Sequence, residues 1–297
     1  MRILVIGGAG MLGHRVWITL AEKYEVYGTI RSEFNENLKS FSKIDPSKVI
    51  SNVNILDDAS IDSAFAKSRP DLVINCVGIL KVDPSLDNKI SSIEINSLFP
   101  HKLAKKCKSY NSRLIHFSTD CVFDGVEGSY DEDSLSFSND LYGLSKRMGE
   151  LKDQQHCLTI RTSIIGREIN PRGSLVEWFI NDSEKNVTGY KNAIFSGYPT
   201  QTISRIIKDY VIEDTSLSGI YHISNDPIDK YSLLVAIKEK FDLDKSIEPD
   251  YDFKINRSLC SEKFRAQTNC HIFTTAELMD DLSVDWDIYN TIAEERR

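Results

Sequence analysis

The 297-residue sequence predicts an α/β fold, a doubly wound parallel sheet with a smaller C-terminal lobe. Three observations carry that prediction. Apolar strand-like runs alternate with helix-like segments through the first 164 residues. Runs such as DLVINC (71–76) and RLIHF (113–117) are apolar on both faces, as strands covered by helices on either side must be. The first run passes straight into a glycine-rich turn, GGAGMLG (7–13).

In chain order, strands are predicted at 2–6, 25–29, 48–53, 71–76, 113–118 and 157–163, with helices at 11–22, 60–67, 94–109 and 142–154 between them. This is the spacing of βαβ units, whose right-handed crossovers leave few topologies. After residue 164 the rhythm changes. REINPRGS (167–174) reads as a loop, LVEWFIND (175–182) as a short helix and TISRIIKDYVIED (202–214) as a helix. GIYHISN (219–225) reads as a strand, KYSLLVAIKEKFD (230–242) as a helix, and DWDIYNTIAEERR (285–297) as a closing helix. The expected division is a dinucleotide-binding domain over 1–164, with a returning part around 200–225, and a lobe made mainly of 165–297.

Composition narrows the function classes. The chain is 41% hydrophobic and 27% charged, and no run approaches the ~20 apolar residues of a membrane helix. The start of the chain has no signal-peptide pattern. Six cysteines without a Cys-x-x-Cys pair, and six histidines without ligand-like spacing, predict no metal site and a reducing, cytoplasmic setting. His116 and His222 fall inside apolar strands and are expected to be packed. The net charge of −8 speaks against nucleic acid as a partner, whereas an anionic small molecule needs only a few local arginines. The acidic run YDEDS (130–134) reads as a solvated loop.

Gly7, Gly10 and Gly13 form G-x-x-G-x-x-G between a strand and an amphipathic helix. A dinucleotide needs that arrangement: a tight turn, bare backbone where the pyrophosphate approaches, and unpaired N–H groups at the helix start. The reading is therefore of a Rossmann-type domain. Where such a fold meets the adenine ribose, this chain has Arg31 and Ser32 and no carboxylate before Glu33. A guanidinium there favours the 2′-phosphate of NADPH, with NADH as the alternative cofactor and a solvated loop arginine as the bland reading.

Tyr142 and Lys146 stand four apart in LYGLSKRMGE (141–150), which puts both on one helix face. An ammonium beside a phenol is expected to lower its pKa, suiting a tyrosine that passes a proton to a carbonyl oxygen. Thr119, at the end of the fifth strand, could hydrogen-bond the same oxygen as charge develops.

These residues resemble the extended short-chain dehydrogenase/reductases, in particular the group built around dTDP-4-dehydrorhamnose reductase. That group shows a G-x-x-G-x-x-G turn, an S-T-D-Y-V-F-D-G stretch, a P-L-N-x-Y-G-K-S/T-K helix start and an R-T-S strand. The counterparts here are GGAGMLG, STDCVFDG (118–125), SNDLYGLSK (138–146) and IRTSIIG (160–166). The resemblance is specific from residue 1 to about 166 and weaker through GIYHISN and KYSLLVAIKEKF. It implies NADPH-dependent reduction of the C4 keto group of a nucleotide-linked 4-keto-6-deoxyhexose, in deoxysugar and surface-polysaccharide precursor synthesis. Thr119, Tyr142 and Lys146 would be the catalytic triad, with Tyr142 protonating the C4 oxygen and Lys146 also holding the nicotinamide ribose. Gly7, Gly10, Met11, Leu12 and Gly13 would hold the pyrophosphate. Asn54 and Ile55 match the adenine-contacting segment, although the usual leading Asp there is Asn54. Cys76, Val77 and Gly78 match the strand end that flanks the nicotinamide half. Asn96 matches a helix asparagine near the active site, with a structural cap as the equal alternative.

The departures bear on the substrate. The loop after the fourth strand, VGILKVDPS (77–85), differs from the group's AAHTAVDKAE. Cys121 replaces the Tyr of S-T-D-Y, the offset at which GDP-fucose synthase and the plant-type 3,5-epimerase/4-reductase carry a catalytic cysteine. The region that supplies its His or Lys partner there reads INPRGSLVEWF (169–179), with neither, so Cys121 is expected to line the pocket rather than epimerise. The lobe lacks the proline-rich ending of the rhamnose enzyme, which points to a different sugar or base, such as a UDP-linked sugar N-acetylated at C2. Arg172, Arg257 and Arg265 would sit near the nucleotide diphosphate or on the surface. Trp178 would line the sugar pocket or, the favoured reading, fill the lobe's core with Phe179. Two other functions stay open: a bifunctional 3,5-epimerase/4-reductase using Cys121, and a non-catalytic NADP-binding regulatory subunit, since one relative of the family serves as the regulatory partner of a methionine adenosyltransferase. A homodimer is left open as the assembly.

Overall fold

Seven strands form one parallel sheet in the computed structural model, which describes residues 1–34, 36–80, 88–170 and 173–295. They are β1 (Arg2–Ile6), β2 (Glu25–Thr29), β3 (Val49–Ile50), β4 (Leu72–Asn75), β5 (Arg113–Thr119), β6 (Cys157–Thr162) and, beyond β7 (Ile164–Ile165), β8 (Asn186–Phe195) and β9 (Tyr198–Pro199), β10 (Gly219–His222). The spatial order is β10-β6-β5-β4-β1-β2-β3, every neighbouring pair parallel. The order reverses at β1, so the crevice beside the glycine turn lies at the switch point where α/β sheets bind ligands.

Side-chain alternation along β1 builds the two cores. Ile3 and Val5 face one layer with Val16, Leu20 and Ile160, while Leu4 and Ile6 face the other with Val73, Leu103 and Leu114. Each such buried side chain contributes about 1.5–3 kcal/mol against chain entropy. The layers are α1 (Met11–Leu20), α2 (Glu36–Lys39), α3 (Asp58–Ser68), α4 (Lys89–Ser92), α5 (Phe99–Ser109) and α6 (Leu141–Met148), with α4 joined to α5 through the π-helical stretch Ile93–Leu98. The lobe adds α7 (Leu175–Asn181), α8 (Thr200–Ile206), α9 (Lys230–Lys240), α10 (Glu262–Thr268), α11 (Thr275–Leu282) and α12 (Trp286–Glu294).

Four expectations change. The third strand shortens to Val49–Ile50, because Asn52 turns the chain at φ 59°. The helix expected to reach residue 154 stops at Met148: Gly149 meets the Asn96 carbonyl where a Cβ would collide, and Glu150 leaves the helix for a buried cation. The segments 186–195 and 246–256, read as neither strand nor helix, form a second sheet in the order β11-β8-β12, with β11 at Ile228–Asp229 and β12 at Ser246–Asn256. Strand β12 pairs with β8 in parallel and shifts register between Asp250 and Lys254, where Asp250 Oδ1 accepts from the N–H of Asp252 (2.7 Å) and Phe253 (3.1 Å). Finally, YDEDS is not merely solvated. Tyr130 is 2% exposed and stacks on Phe123 at 4.3 Å, and Glu132 accepts from the His222 N–H at 2.7 Å. No helix among the described residues is long and apolar enough to cross a membrane.

Candidate active site

The glycine turn is built for close approach. Gly7 has φ +86°, donates to Thr29 Oγ1 (3.2 Å), and would place a Cβ 2.7 Å from Val77 Cγ2. A Cβ on Gly13 would collide with the Gly7 carbonyl, so turn and helix can meet only without side chains. Helices α3, α6, α9 and α11 begin under an Asp or Thr side-chain cap, whereas α1 begins at Gly10 with no cap and no acidic residue in its first turn. Its free N–H groups, including those of Met11 and Leu12, and its dipole fit a pyrophosphate. Arg31 and Ser32 are exposed just past β2, on the side where an adenine ribose would extend. Asn54 is exposed and folds its own turn, its Oδ1 accepting from the Leu56 N–H at 3.1 Å, and Ile55 is half-buried beside it.

Helix α6 carries Tyr142 and Lys146. Asp140 caps it through the Gly143 N–H (2.7 Å), and Gly143 lets it press on the Asp120–Val122 turn, where a Cβ would strike the Cys121 carbonyl. That contact brings Tyr142 beside the Thr119 hydroxyl. One turn on, Lys146 Nζ donates to the Phe117 carbonyl at 2.7 Å. Gly78 leaves space above it, since even a Cβ there would stand 3.6 Å from Nζ. Cys76, Val77 and Gly78 thus border both the glycine turn and the lysine. Asn96, in the π-helical stretch, clamps the Ile79 backbone through both amide atoms (2.9 and 3.1 Å) and donates to Ser145 Oγ (3.1 Å). It holds the wall of the site in place.

Burial dominates the electrostatics. It pushes the Tyr142 phenol well above its ordinary value, with Cys121, Asp120 and Asp140 adding to the effect. The expectation of a phenol lowered by its lysine is not met: desolvation is the largest influence on the phenol and raises it, while the ammonium is tied to a carbonyl of β5. The same burial lowers Lys146 to about 8, against the raising effects of Glu150 and Cys76. Asp120 is buried and raised; its Oδ1 accepts from Thr119 Oγ1 at 3.0 Å, with Cys121, Arg257 and Ser163 around it. Cys121 thus sits half-buried between a carboxyl and a phenol.

Sequence reasoning missed a buried chain beneath the site. Glu150 takes both Arg161 Nε (2.7 Å) and Nη2 (2.8 Å) and accepts from Ser118 Oγ (2.8 Å). Arg161 then reaches His222 Nε2 at 3.2 Å, and His222 Nδ1 meets the Tyr130 carbonyl at 3.0 Å. Two signals were available: Glu150 continues the Tyr142–Lys146 helical spacing, and an arginine inside an apolar strand requires a carboxylate.

The proposed substrate residues part company. Arg257 stands next to the site, donating to the Phe123 carbonyl at 2.9 Å, with Nη2 3.9 Å from Asp140 Oδ2. Arg265 is half-buried near Tyr198 and Cys270. Trp178 is 37% exposed, and Phe179 alone fills the lobe's core, so the favoured core reading of Trp178 is corrected. The alternation is helical: one side of α7 faces inward and the next residue outward. Arg172, and most of the loop VGILKVDPS, lie outside the described residues. Among the described residues no group of three His, Cys, Asp or Glu is placed to hold a metal.

Residues 1–258 match the family described as RmlD substrate binding domain. The chain belongs to that family. As an RmlD-type extended short-chain dehydrogenase/reductase it shares the fold of solved members. It is 25% identical to a hypothetical dTDP-4-dehydrorhamnose reductase from Sulfolobus tokodaii, with TM-score 0.74 over 93% of this chain and 98% of that one. A dTDP-4-dehydrorhamnose reductase from Bacillus anthracis, solved in complex with NADP, superposes with TM-score 0.76 at 19% identity, covering 96% of this chain and 99% of that one. Among curated sequences, methionine adenosyltransferase 2 subunit beta from Xenopus laevis is 25% identical over 82% of this chain and 73% of its own length.

Proposed function

We propose that the protein is an NADPH-dependent reductase of the C4 keto group of a nucleotide-linked 4-keto-6-deoxyhexose, with a 3,5-epimerase activity at Cys121 set aside. One observation carries this reading: Tyr142, Lys146 and Thr119 converge at the β4 and β5 ends, beside a glycine turn with an uncapped helix start. Gly7, Gly10, Met11, Leu12 and Gly13 would hold the pyrophosphate, and Arg31 and Ser32 the 2′-phosphate. Cys76, Val77, Gly78 and Lys146 would border the nicotinamide ribose. Bound NADPH supplies the hydride, and the relative solved with NADP supports that choice of coenzyme.

The chain's part is proton and charge. Tyr142 is held protonated by burial and gives its proton to the C4 oxygen as that oxygen becomes an alkoxide. Lys146 keeps a positive charge beside the developing phenolate. Thr119 would stand beside the same oxygen, its hydroxyl, which donates to Asp120 Oδ1 at rest, turning to the substrate as charge develops there. Arg257, lodged between the Phe123 carbonyl and Asp140, is the cation placed to meet a diphosphate. Arg172, Arg265 and Trp178 remain proposals for the nucleotide and sugar ends.

A mass-spectrometric screen of UDP-, dTDP- and GDP-linked 4-keto-6-deoxy sugars with NADPH tests the reading, the expected result being a two-hydrogen mass gain on one of them. Solvent deuterium at C3 or C5 of the product would restore the epimerase. The curated likeness to methionine adenosyltransferase 2 subunit beta favours a second reading, an NADP-binding subunit without turnover. No reduction across the panel, together with a stable complex with a methionine adenosyltransferase, would establish it.

A further inference from the structure

A buried histidine of α1 has no part in the reaction, yet it bonds the glycine turn. The Gly10 carbonyl accepts twice from one residue, from the His14 backbone N–H (3.1 Å) and from His14 Nδ1 (2.7 Å). A ring that donates from Nδ1 and is neutral has a bare Nε2, and that atom lies 2.5 Å from the Tyr289 hydroxyl, its donor. His14 is fully buried, and burial, with Arg15 next to it, holds its pKa down to about 3, so the ring stays neutral. Tyr289 is 3% exposed and packs edge-on to His14 at 5.7 Å, with Phe41 closing the cluster. Arg15 adds an ion pair to Asp285 (2.6 Å) at the start of α12.

Peptide planarity converts this into function. A carbonyl drawn into the protein turns the N–H of the same peptide the opposite way. Holding the Gly10 carbonyl inward therefore aims the Met11 N–H outward, where an anion at the helix start would sit. We propose that His14 and Tyr289 are positioning residues for the coenzyme pyrophosphate, which makes α12 part of the dinucleotide site. Helix α12 lies beyond residues 1–258, the stretch that the family match covers. This rests on the dinucleotide reading above and is independent of any keto sugar.

The test uses the full chain without sugar substrate. Affinities are measured for NADPH, by its fluorescence, and by displacement for 2′-phospho-ADP-ribose, which keeps the pyrophosphate, and adenosine 2′-monophosphate, which lacks it. Tyr289→Phe removes one hydroxyl, and His14→Leu removes both bonds at similar volume. The Kd for NADPH and 2′-phospho-ADP-ribose should rise about five- to tenfold in Tyr289→Phe, and at least as far in His14→Leu. The Kd for adenosine 2′-monophosphate should stay as in the parent protein. Unchanged NADPH affinity in Tyr289→Phe overturns the proposal, as does equal weakening of all three probes, the mark of general loosening. Should His14→Leu fail to fold, Tyr289→Phe decides alone. A parent protein that binds none of the three would instead remove the dinucleotide reading, and this inference with it.

Discussion

Tyr142 holds its proton in a site where desolvation and nearby acidic groups raise the phenol. Removing the phenolic oxygen deletes an interaction made only as charge develops on the substrate, so Tyr142→Phe should lower kcat by about 10²–10⁴-fold with the Kd for NADPH unchanged. Stopped-flow turnover beside a coenzyme titration checks both halves, and retained turnover would take Tyr142 out of the role. Lys146, at about 8, is an ammonium below that pH and neutral above it. The kcat/KM profile should therefore lose activity as pH rises through about 8, and Glu150→Gln, which removes a raising charge, should move that limb to lower pH. A limb that stays fixed in the variant belongs to another group. The spacing of Tyr142 and Lys146 was legible in the sequence, since i, i+4 on a helix fixes a shared face. The direction of the phenol's shift was not, because it depends on how deeply β5 and the Asp120–Val122 turn cover the ring.

At the level of elements, α6 works by contact. Gly143 lets it touch the Cys121 carbonyl, and that touch sets the Tyr142–Thr119 approach. Gly143→Ala should push the helix off the turn and lower kcat about 10²-fold, with a smaller loss of NADPH affinity because the pyrophosphate contacts of the glycine turn are unchanged. Equal kcat in the variant would show that the turn yields without moving the phenol. The strands of the large sheet were readable because parallel strands buried on both faces are continuous apolar runs. Strand β12 was not: Glu248, Pro249, Asp250 and Asp252 interrupt any alternation, and the strand exists because β8 supplies a partner in register. Helices α10 and α11 escaped for the related reason that short amphipathic segments draw their stability from packing.

Across the whole molecule, Arg167 joins what the chain separates. Its Nε donates to Glu177 Oε1 of α7 at 2.7 Å, its Nη1 reaches Asn290 of α12 at 3.2 Å, and its guanidinium lies over the Trp286 ring at 4.6 Å. Both charges of the pair are almost wholly buried. Arg167→Ala leaves the Glu177 carboxylate without its partner and should cost about 3–5 kcal/mol in chemical denaturation. The double variant Arg167→Met with Glu177→Met should recover much of that loss, and its failure to do so would assign the cost to lost packing over Trp286. No motif announced this link, since Arg167 and Glu177 lie more than a hundred positions before Trp286 and Asn290 and meet them only when α12 folds back on the lobe.

The long outer strand of the small sheet has its own consequence. An unpaired strand border is a template on which other chains can polymerise. In β12 the Asp250 carboxylate already occupies the amides of Asp252 and Phe253, and the shift in register there twists the border away from flatness. Three like charges, on Glu248, Asp250 and Asp252, repel an identical ribbon laid alongside. The exposed rings of Tyr251 and Phe253 are thereby kept from seeding fibrils, and Asp250→Ala should make the protein more prone to form thioflavin-binding aggregates on gentle heating.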